Sequence, residues 1–462
     1  MPRSPLDLSE PIVALATPAG RGALAIVRLS GSGAHDIARS ALDSWPSVPR
    51  SIVVSHVRDG DGNSLDQCVV IRYDAPASFT GEDSVELITH GGLVVSTTVV
   101  AAMVARGARL ATPGEFTRRA VLNGKLDILQ AEATGDLIDA DSRAAQAVAL
   151  RQLDGGLSRR VLGLRQQLIE LEALIAYDID FPEEDEGPIA PSRIAAAAED
   201  VIGALARLLE TARVGELVRE GALVVLAGAP NVGKSSLFNA LLGQSRAIVT
   251  DIPGTTRDAI EAVIDTARLP LRLVDTAGIR EASDVVERIG VEVSASYAAR
   301  AAVVLACGDS DATMADIGAA LADRTSAPVI AVRTKADVSR ADDDALARAK
   351  TEAGAQTAIA VSAETGAGLA DLLDQITTIV SNGGAPIAAD APILTHERHR
   401  FAIARALDEV KSFRDDWQSG HVPVMIAAVH LREAVTTLED LIGAVDVEDV
   451  LDELFRRFCV GK

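Results

Sequence analysis

The stretch GAPNVGKS at residues 228–235 decides the fold of the segment around it. It fits the pattern G-x-x-x-x-G-K-[ST], whose glycines let backbone N–H groups turn inward around phosphate oxygens at a helix N-terminus. An apolar strand, Leu223 to Ala227, precedes it, and helix-type leucine spacing follows it. This context predicts a nucleotide phosphate site, in which Lys234 neutralises the β and γ oxygens and Ser235 supplies a hydroxyl to Mg²⁺.

Short apolar strands alternate with helix-length segments between residues 221 and 382. This alternation is typical of a parallel, doubly wound α/β domain. The predicted strands cover residues 223–227, 271–274, 303–306, 329–332 and 358–361.

Asp275 ends one of these strands and is followed by Thr-Ala-Gly at 276–278. The position predicts that Asp275 holds Mg²⁺ through water and that Gly278 approaches the γ-phosphate. In the loop GTTRD at 254–258, Thr256 is placed to complete the Mg²⁺ shell when a γ-phosphate is present and to release it after hydrolysis. The segment therefore predicts a nucleotide switch.

The run Thr-Lys-Ala-Asp at 334–337 follows another strand, and Ser362 and Ala363 end the next one. The Asp337 carboxylate can accept hydrogen bonds from guanine N1–H and its 2-amino group, which adenine cannot supply. The Lys335 stem covers the ring. Thr334 stands where Asn is usual, so we expect weaker base contacts with unchanged guanine specificity.

Ile279 occupies the position after the Asp-Thr-Ala-Gly run, where an apolar side chain cannot orient the attacking water. Another group must do so. The nearby polar candidates are Arg280, Glu281, Asp284 and Glu287, and spacing alone leaves the choice open.

The first 125 residues differ in charge from the rest of the chain. They carry 12 of the 44 Lys and Arg residues and 12 of the 66 acidic residues, whereas the whole chain has a formal charge of −22. That acidity argues against a broad non-specific hold on nucleic acid, so any RNA partner must be held locally or with a second protein. Short β-rich runs with Gly-rich turns predict an α+β domain with an antiparallel sheet over residues 1–125.

Helical spacing fills residues 126–220 and returns over residues 383–462. The economical interpretation is one all-α domain with the α/β domain, residues 221–382, inserted into it. No apolar run approaches the roughly 18 residues of a membrane span, and the first residues lack a targeting h-region. Three widely spaced cysteines, Cys68, Cys307 and Cys459, favour a reducing, cytoplasmic compartment.

Together these motifs resemble the MnmE/TrmE family of tRNA-modification GTPases, in the translation-factor-like branch of P-loop GTPases. Both halves of the chain carry the resemblance. The stretches concerned are residues 16–22, 78–83, 90–92, 113–117, 123–127, 254–258, 275–280, 286–290 and 458–462.

The resemblance implies a folate-binding α+β domain that also forms a homodimer, a helical domain and an inserted G domain. It implies a flavoprotein partner of the MnmG type, which carries FAD and forms a heterotetramer with this chain. The pair would use a tetrahydrofolate one-carbon unit to add a carboxymethylaminomethyl-type group to carbon 5 of the wobble uridine of certain tRNAs. Four residues resemble the folate site: Arg28, Glu86, Lys125 and Lys462.

The resemblance also implies that Glu287 positions the water and that a K⁺ ion replaces an arginine finger, held by Asn231, Thr250, Ile252 and Thr255. Cys459 resembles a reactive thiol near the folate, although packing beside Phe458 stays open. The expected GTP-binding set is Gly228, Asn231, Val232, Gly233, Lys234, Ser235, Ser236, Thr250, Thr255, Thr256, Asp275, Thr276, Ala277, Gly278, Thr334, Lys335, Asp337, Ser362 and Ala363.

Two other functions compete with this interpretation. One is an Era- or Der-like ribosome-assembly switch without RNA chemistry, which would predict a basic RNA-binding appendage. The other is an autonomous folate-dependent one-carbon transferase in which GTP hydrolysis only regulates.

Overall fold

The structure is a computed structural model that describes residues 9–180, 190–244, 260–266, 269–275, 297–322, 324–339, 342–381, 392–419, 421, 423–443, 458 and 460–461. The chain divides into two compact units. One comprises Met1–Gly135, Leu153–Arg165 and Thr436–Lys462, and the other Asp136–Gln152 and Gln166–Val435. None of the described helices is long and apolar enough to cross a membrane.

The first unit contains a six-stranded sheet of order β3-β4-β5-β2-β1-β6. Its strands are β1 (Ile12–Leu15), β2 (Leu24–Ser30), β3 (Ile52–Arg58), β4 (Ser64–Tyr73), β5 (Ser84–His90) and β6 (Arg109–Leu110). All neighbours are antiparallel except β1 and β6, which confirms the expected α+β fold with its largely antiparallel sheet. Because side chains alternate along a strand, Val27 and Leu29 of β2 enter the core while Arg28 lies on the opposite face.

The helices lie between and after these strands. In chain order they are α1 (Ala34–Ser40), α2 (Leu93–Val104), α3 (Glu115–Leu122), α4 (Ile128–Asp139), α5 (Arg143–Leu153), α6 (Gly156–Asp180), α7 (Pro191–Glu210), α8 (Ala212–Glu220), α9 (Lys234–Gln244), α10 (Asp311–Leu321), α11 (Asp343–Glu352), α12 (Leu369–Val380), α13 (Glu397–Ser419) and α14 (Val424–Ile442).

A buried ion-pair network fixes α3 to the sheet of the first unit. Arg119 and Glu115 are each 1% exposed, and Arg119 Nη2 donates to Glu115 Oε1 at 3.0 Å. The same guanidinium donates to Glu82, and Arg109 Nη2 donates to Glu115 Oε1 at 2.6 Å. Removal of one partner from such a buried pair leaves an uncompensated charge, so the network is costly to break.

The last described residues belong to this first unit. Val460 forms an antiparallel bridge with Pro113, and Gly461 has φ 101°. A Cβ at Gly461 would lie 2.2 Å from the Leu15 carbonyl oxygen, so only glycine fits this approach. The Phe458 ring packs against Gly135 of α4, where a Cβ would be 3.2 Å from it.

The second unit contains another six-stranded sheet, of order β12-β11-β10-β7-β9-β8. Its strands are β7 (Ala222–Ala227), β8 (Ile260–Asp265), β9 (Pro270–Asp275), β10 (Val303–Gly308), β11 (Val329–Arg333) and β12 (Thr357–Ala360). Five strands are parallel, as expected, and β8 adds an antiparallel edge strand that the sequence pattern did not predict.

Helices cover both faces of this sheet. Alternate strand residues such as Leu305 pack with Leu237 of α9 and Leu372 of α12, whereas Val304 packs with Met314 of α10. The predicted doubly wound α/β fold is thereby confirmed.

The chain reaches β7 directly from α8, and α8 packs tightly on the segment that precedes α13. A Cβ at Gly215 would lie 1.9 Å from the Leu394 carbonyl oxygen. Asp136 of α4 accepts hydrogen bonds from Arg219 at 3.0 Å and pairs with His396 at 2.8 Å. Helical residues on both sides of the α/β segment therefore share one ion-pair network.

Candidate functional site

The loop after β7 has the backbone shape that a phosphate site requires. Gly233 has φ 101° and Asn231 has φ 62°. A Cβ at Gly228 would lie 2.3 Å from the Cys307 carbonyl oxygen, so the first glycine is required by its packing against β10. Val232, within the loop, is buried. Since α9 begins at Lys234, its first N–H groups face the same space as the loop.

Lys234 is 5% exposed, and its Nζ donates to the carbonyl oxygens of Gly228 and Ala229, both at 2.8 Å. The ammonium thus lies inside the concave side of the loop. In that place it can neutralise phosphate oxygens.

Ser235, in the first turn of α9, meets Asp275, the last residue of β9. Ser235 Oγ donates to Asp275 Oδ2 at 2.7 Å, and Asp275 is 1% exposed. A hydroxyl and a carboxylate so close together are the oxygen ligands that Mg²⁺ takes in nucleotide sites, directly or through water. Ser236, the next residue on α9, is exposed.

The loop after β11 is bound to the phosphate loop by two side chains. Thr334 Oγ1 donates to the Val232 carbonyl oxygen. Lys335, with φ 56°, donates from Nζ to the Asn231 carbonyl oxygen and to Asp309 Oδ2, each at 2.8 Å. The Thr334 hydroxyl therefore joins the two loops in a position where Asn is usual.

Asp309 was not among the residues singled out in the sequence. The hydrogen bond from Lys335 holds the pKa of the Asp309 carboxyl below its ordinary value. The residue follows β10, and nothing in its spacing distinguishes it from a surface acid. Its partner Lys335 follows β11, the parallel neighbour of β10, so only the sheet order brings the pair together.

Asp337 lies next to the loop after β12. Ser362 Oγ donates to Asp337 Oδ1 at 2.6 Å, and Ser362 is fully buried. The neighbouring Ala363 is half-buried. The contact fixes the carboxylate orientation, which is what a residue that reads two hydrogen-bond donors of a base needs.

Ten of the predicted site residues lie outside the described residues, and their roles stay predictions. They are Thr250, Ile252, Thr255, Thr256, Thr276, Ala277, Gly278, Glu287, Cys459 and Lys462.

A second polar site lies on the sheet of the first unit. Arg28 of β2 and Glu86 of β5 are register partners. Arg28 Nε and Nη2 donate to Glu86 Oε1 at 3.0 and 2.8 Å, and the side chains are 24% and 18% exposed. The antiparallel register therefore brings together two predicted folate residues that are distant in sequence.

Aromatic side chains surround this pair. Tyr73 donates from its hydroxyl to Glu86 Oε2 at 3.2 Å, and the Arg28 Cζ lies 5.6 Å from the Phe79 ring centroid and 5.7 Å from that of Phe116. Burial and the Glu86 charge raise the pKa of the Tyr73 phenol, so it stays a donor. Tyr73 was missed in the sequence because only strand pairing places it beside Glu86.

Lys125 lies at the edge of this site. It is exposed, and its Nζ donates to the Pro76 carbonyl oxygen at 3.1 Å.

The two described cysteines differ from what thiolate chemistry needs. Cys68 and Cys307 are buried, and burial raises the pKa of each thiol to about 12.

Comparison with known proteins covers both units. Residues 11–125 match the N-terminus of the GTP-binding protein TrmE, and residues 128–459 match the MnmE helical domain. The tRNA modification GTPase MnmE of Azoarcus sp. (strain BH72) is 43% identical over 462 residues, which are 100% of this chain and 99% of that protein. The tRNA modification GTPase MnmE of Aquifex aeolicus (strain VF5) is 41% identical over 458 residues, 98% of this chain and 100% of that protein.

Among solved structures, the G domain of the T. maritima FeoB iron transporter is 27% identical and has a TM-score of 0.28, covering 34% of this chain and 98% of that chain. The family assignment does not depend on that likeness. It follows from relatives above 40% identity that cover nearly the whole chain, together with a phosphate loop at the carboxyl end of β7. The chain belongs to the MnmE family of tRNA modification GTPases.

Proposed function

We propose that this GTPase works with a MnmG-type flavoprotein, which carries FAD, to add a carboxymethylaminomethyl-type group to carbon 5 of the wobble uridine of certain tRNAs. One observation carries the proposal. A single chain has a nucleotide site on its second sheet and a separate cation, carboxylate and aromatic site on its first. A switch without RNA chemistry has no use for the second of these sites.

The first-sheet site fits a tetrahydrofolate. Glu86 can accept the amide N–H and amino group of a pterin: Oε2 keeps a second lone pair beside the bond from Tyr73, and Oε1 would exchange one of its two bonds from Arg28 for the ligand. Phe79 is 42% exposed, so its ring is available for stacking. Lys125 and Lys462 would bind the glutamyl carboxylates. When bound, the folate supplies the one-carbon unit.

Several residues of the nucleotide site have separate roles in this proposal. Lys234 neutralises phosphate oxygens, Ser235 and Asp275 hold Mg²⁺, and Asp337 selects guanine. K⁺ bound by Asn231, Thr250, Ile252 and Thr255 would stabilise the charge that develops on the phosphates, and Glu287 would orient the water.

Hydrolysis would drive a conformational cycle in a cytoplasmic homodimer whose G domains pair. The proposed domains are residues 1–125, 126–220, 221–382 and 383–462, with the second and fourth forming one helical domain. Cys459 is proposed as the reactive thiol near the folate.

The test is nucleoside analysis of bulk tRNA from a strain that lacks this chain. We expect wobble uridines without the carboxymethylaminomethyl-type group, restored by the wild-type chain but not by Lys234→Ala or by Arg28→Met. Normal wobble uridines in the deletion strain would contradict the proposal. Full restoration by Lys234→Ala would instead favour an autonomous folate enzyme in which hydrolysis only regulates.

The proposed K⁺ site is tested by measuring GTP turnover in two different salts. Replacement of KCl by NaCl at constant ionic strength should slow GTP turnover strongly, because the smaller ion is poorly matched to the same ligands. Equal rates in the two salts would show that hydrolysis does not depend on K⁺.

A further inference from the structure

Two cations converge on one short loop at the edge of the Arg28–Glu86 site. Arg50 Nη2 donates to the Ala77 carbonyl oxygen at 2.9 Å, and Lys125 Nζ donates to the adjacent Pro76 carbonyl oxygen at 3.1 Å. They come from segments far apart in the sequence. We call Arg50 and Lys125 the cationic rim.

The rim is continuous with the site. The loop that accepts these bonds leads to Phe79, whose ring lies against Arg28. The Lys125 stem follows the same loop, since a Cβ at Gly81 would be 3.2 Å from Lys125 Cγ. On the other side, the Arg50 charge acts on the Tyr73 phenol and lowers its pKa, although burial and Glu86 outweigh that effect.

The rim differs from other cations of the same sheet. Arg58 pairs with Asp43, Arg72 pairs with Asp74 and Arg109 pairs with Glu115. Within the described part of the chain, neither Arg50 nor Lys125 has a carboxylate within 4.0 Å, and both are exposed.

The backbone at Arg50 also has an uncommon conformation. Its φ is 59°, which is left-handed, and its N–H donates to the Arg72 carbonyl oxygen at 2.8 Å. Non-glycine residues adopt this region at a cost, and such residues concentrate where a ligand is held. This backbone places Arg50 where its exposed guanidinium donates to the Ala77 carbonyl oxygen.

We propose that the cationic rim binds the oligo-γ-glutamyl tail of the cofactor, so that the site selects polyglutamylated tetrahydrofolates over the monoglutamate. The inference rests on the proposed placement of the folate at Arg28 and Glu86. Each added glutamate brings one further carboxylate, and a planar guanidinium beside an ammonium is suited to a row of carboxylates. A tRNA phosphate backbone would use the same cations, and the test separates it from the tail.

The experiment measures binding of monoglutamyl and pentaglutamyl tetrahydrofolate to the full chain by titration calorimetry at fixed ionic strength. The wild type should prefer the pentaglutamate by about tenfold, the size that two exposed charge pairs support. Arg50→Gln should lower that ratio about threefold, and Arg50→Gln with Lys125→Gln should bring it close to one. Arg58→Gln, which changes a partly exposed arginine already paired with Asp43, is the matched control and should keep the wild-type ratio.

The outcomes are distinguishable. If neither folate binds the wild type, the proposed folate-dependent function itself is contradicted. Binding of both with equal affinity, or a ratio that Arg50→Gln leaves unchanged, would overturn only the rim. An unchanged ratio together with weaker tRNA binding by the rim variants would assign these cations to the RNA backbone instead.

Discussion

The two polar sites of this protein are built in opposite ways. On the second sheet, residues 228–235 form the phosphate loop as one consecutive run, and its shape depends on glycines and backbone N–H groups. On the first sheet, Arg28 and Glu86 meet only because β2 and β5 are antiparallel and in register. One site is thus formed by the local chain, the other by strand pairing.

The difference also sets how strongly each site depends on single side chains. Lys234 is 5% exposed, so little solvent screens its charge. Arg28 and Glu86 are 24% and 18% exposed, so solvent screens their pair more. Substitutions should therefore have larger effects in the second sheet than in the first.

Lys234→Ala should have the largest effect. Loss of the ammonium inside the loop should slow GTP hydrolysis by about 10²- to 10³-fold, while tetrahydrofolate binding stays at the wild-type level. Single-turnover experiments measure the rate of hydrolysis, and a titration measures tetrahydrofolate binding. The exposed Lys350→Ala of α11 serves as control. A simultaneous loss of folate binding would show that the two sites are not independent.

Asp337→Asn should come next. An amide offers one acceptor and one donor where the carboxylate offers two acceptors, so GTP affinity should fall about a hundredfold and preference should shift toward xanthosine nucleotide. Competition binding measures both quantities, with the exposed Asp344→Asn as the matched variant. Unchanged GTP affinity would count against Asp337 as the residue that selects guanine.

Arg28→Met should weaken tetrahydrofolate binding by tens of fold, since Glu86 would lose its two guanidinium bonds. Tyr73→Phe removes one hydroxyl donor and should cost only a few-fold. GTP turnover should stay near wild type in both. If Tyr73→Phe were as damaging as Arg28→Met, the cation would not be the dominant partner of Glu86.

Acid stability should show the smallest effect, confined to the first unit. Burial alone would raise the pKa of Glu115, but hydrogen bonds from Arg109, the Thr112 N–H and Arg119 outweigh it and lower the pKa. A carboxyl whose pKa is lower in the folded state stabilises the fold above its unfolded pKa, about 4.3, and loses this contribution as pH falls through the folded value.

Urea unfolding at pH 7 and below pH 4 measures the effect, with Trp45 fluorescence recorded in a Trp417→Phe background to report on the first unit alone. Wild-type stability should fall toward low pH, and Glu115→Gln should flatten that dependence. An identical pH dependence in both proteins would assign the acid sensitivity to other carboxyls.

Sequence spacing predicted the parts of the structure that are local. The strand before the phosphate loop, predicted over residues 223–227, is Ala222–Ala227, and the helical spacing predicted over residues 126–220 includes the long helix Gly156–Asp180. Spacing also placed Asp275 at the end of a strand beside the loop, where the structure has it.

Contacts that depend on register were not predictable. Tyr73 beside Glu86, Asp309 beside Lys335 and Arg50 beside Ala77 each join residues whose neighbours in sequence give no signal. The strand Ile260–Asp265 was missed because it is an antiparallel edge within a pattern of alternating strands and helices. Thr334 shows a different limit. Its hydroxyl donates to the Val232 carbonyl oxygen, a hydrogen bond that could not be expected from the absence of the usual Asn at this position.

The bridge from Val460 to Pro113 and the close approach of Gly461 to Leu15 have a consequence for how the protein is made. The ribosome synthesises residues 460–461 on the order of tens of seconds after β1, at the usual rate of elongation. The contact of the amino-terminal sheet with residues 460–461 therefore cannot form until the α/β segment has been synthesised. A polypeptide made from a truncated mRNA and ending before residue 460 never forms that contact, so its first domain is incomplete.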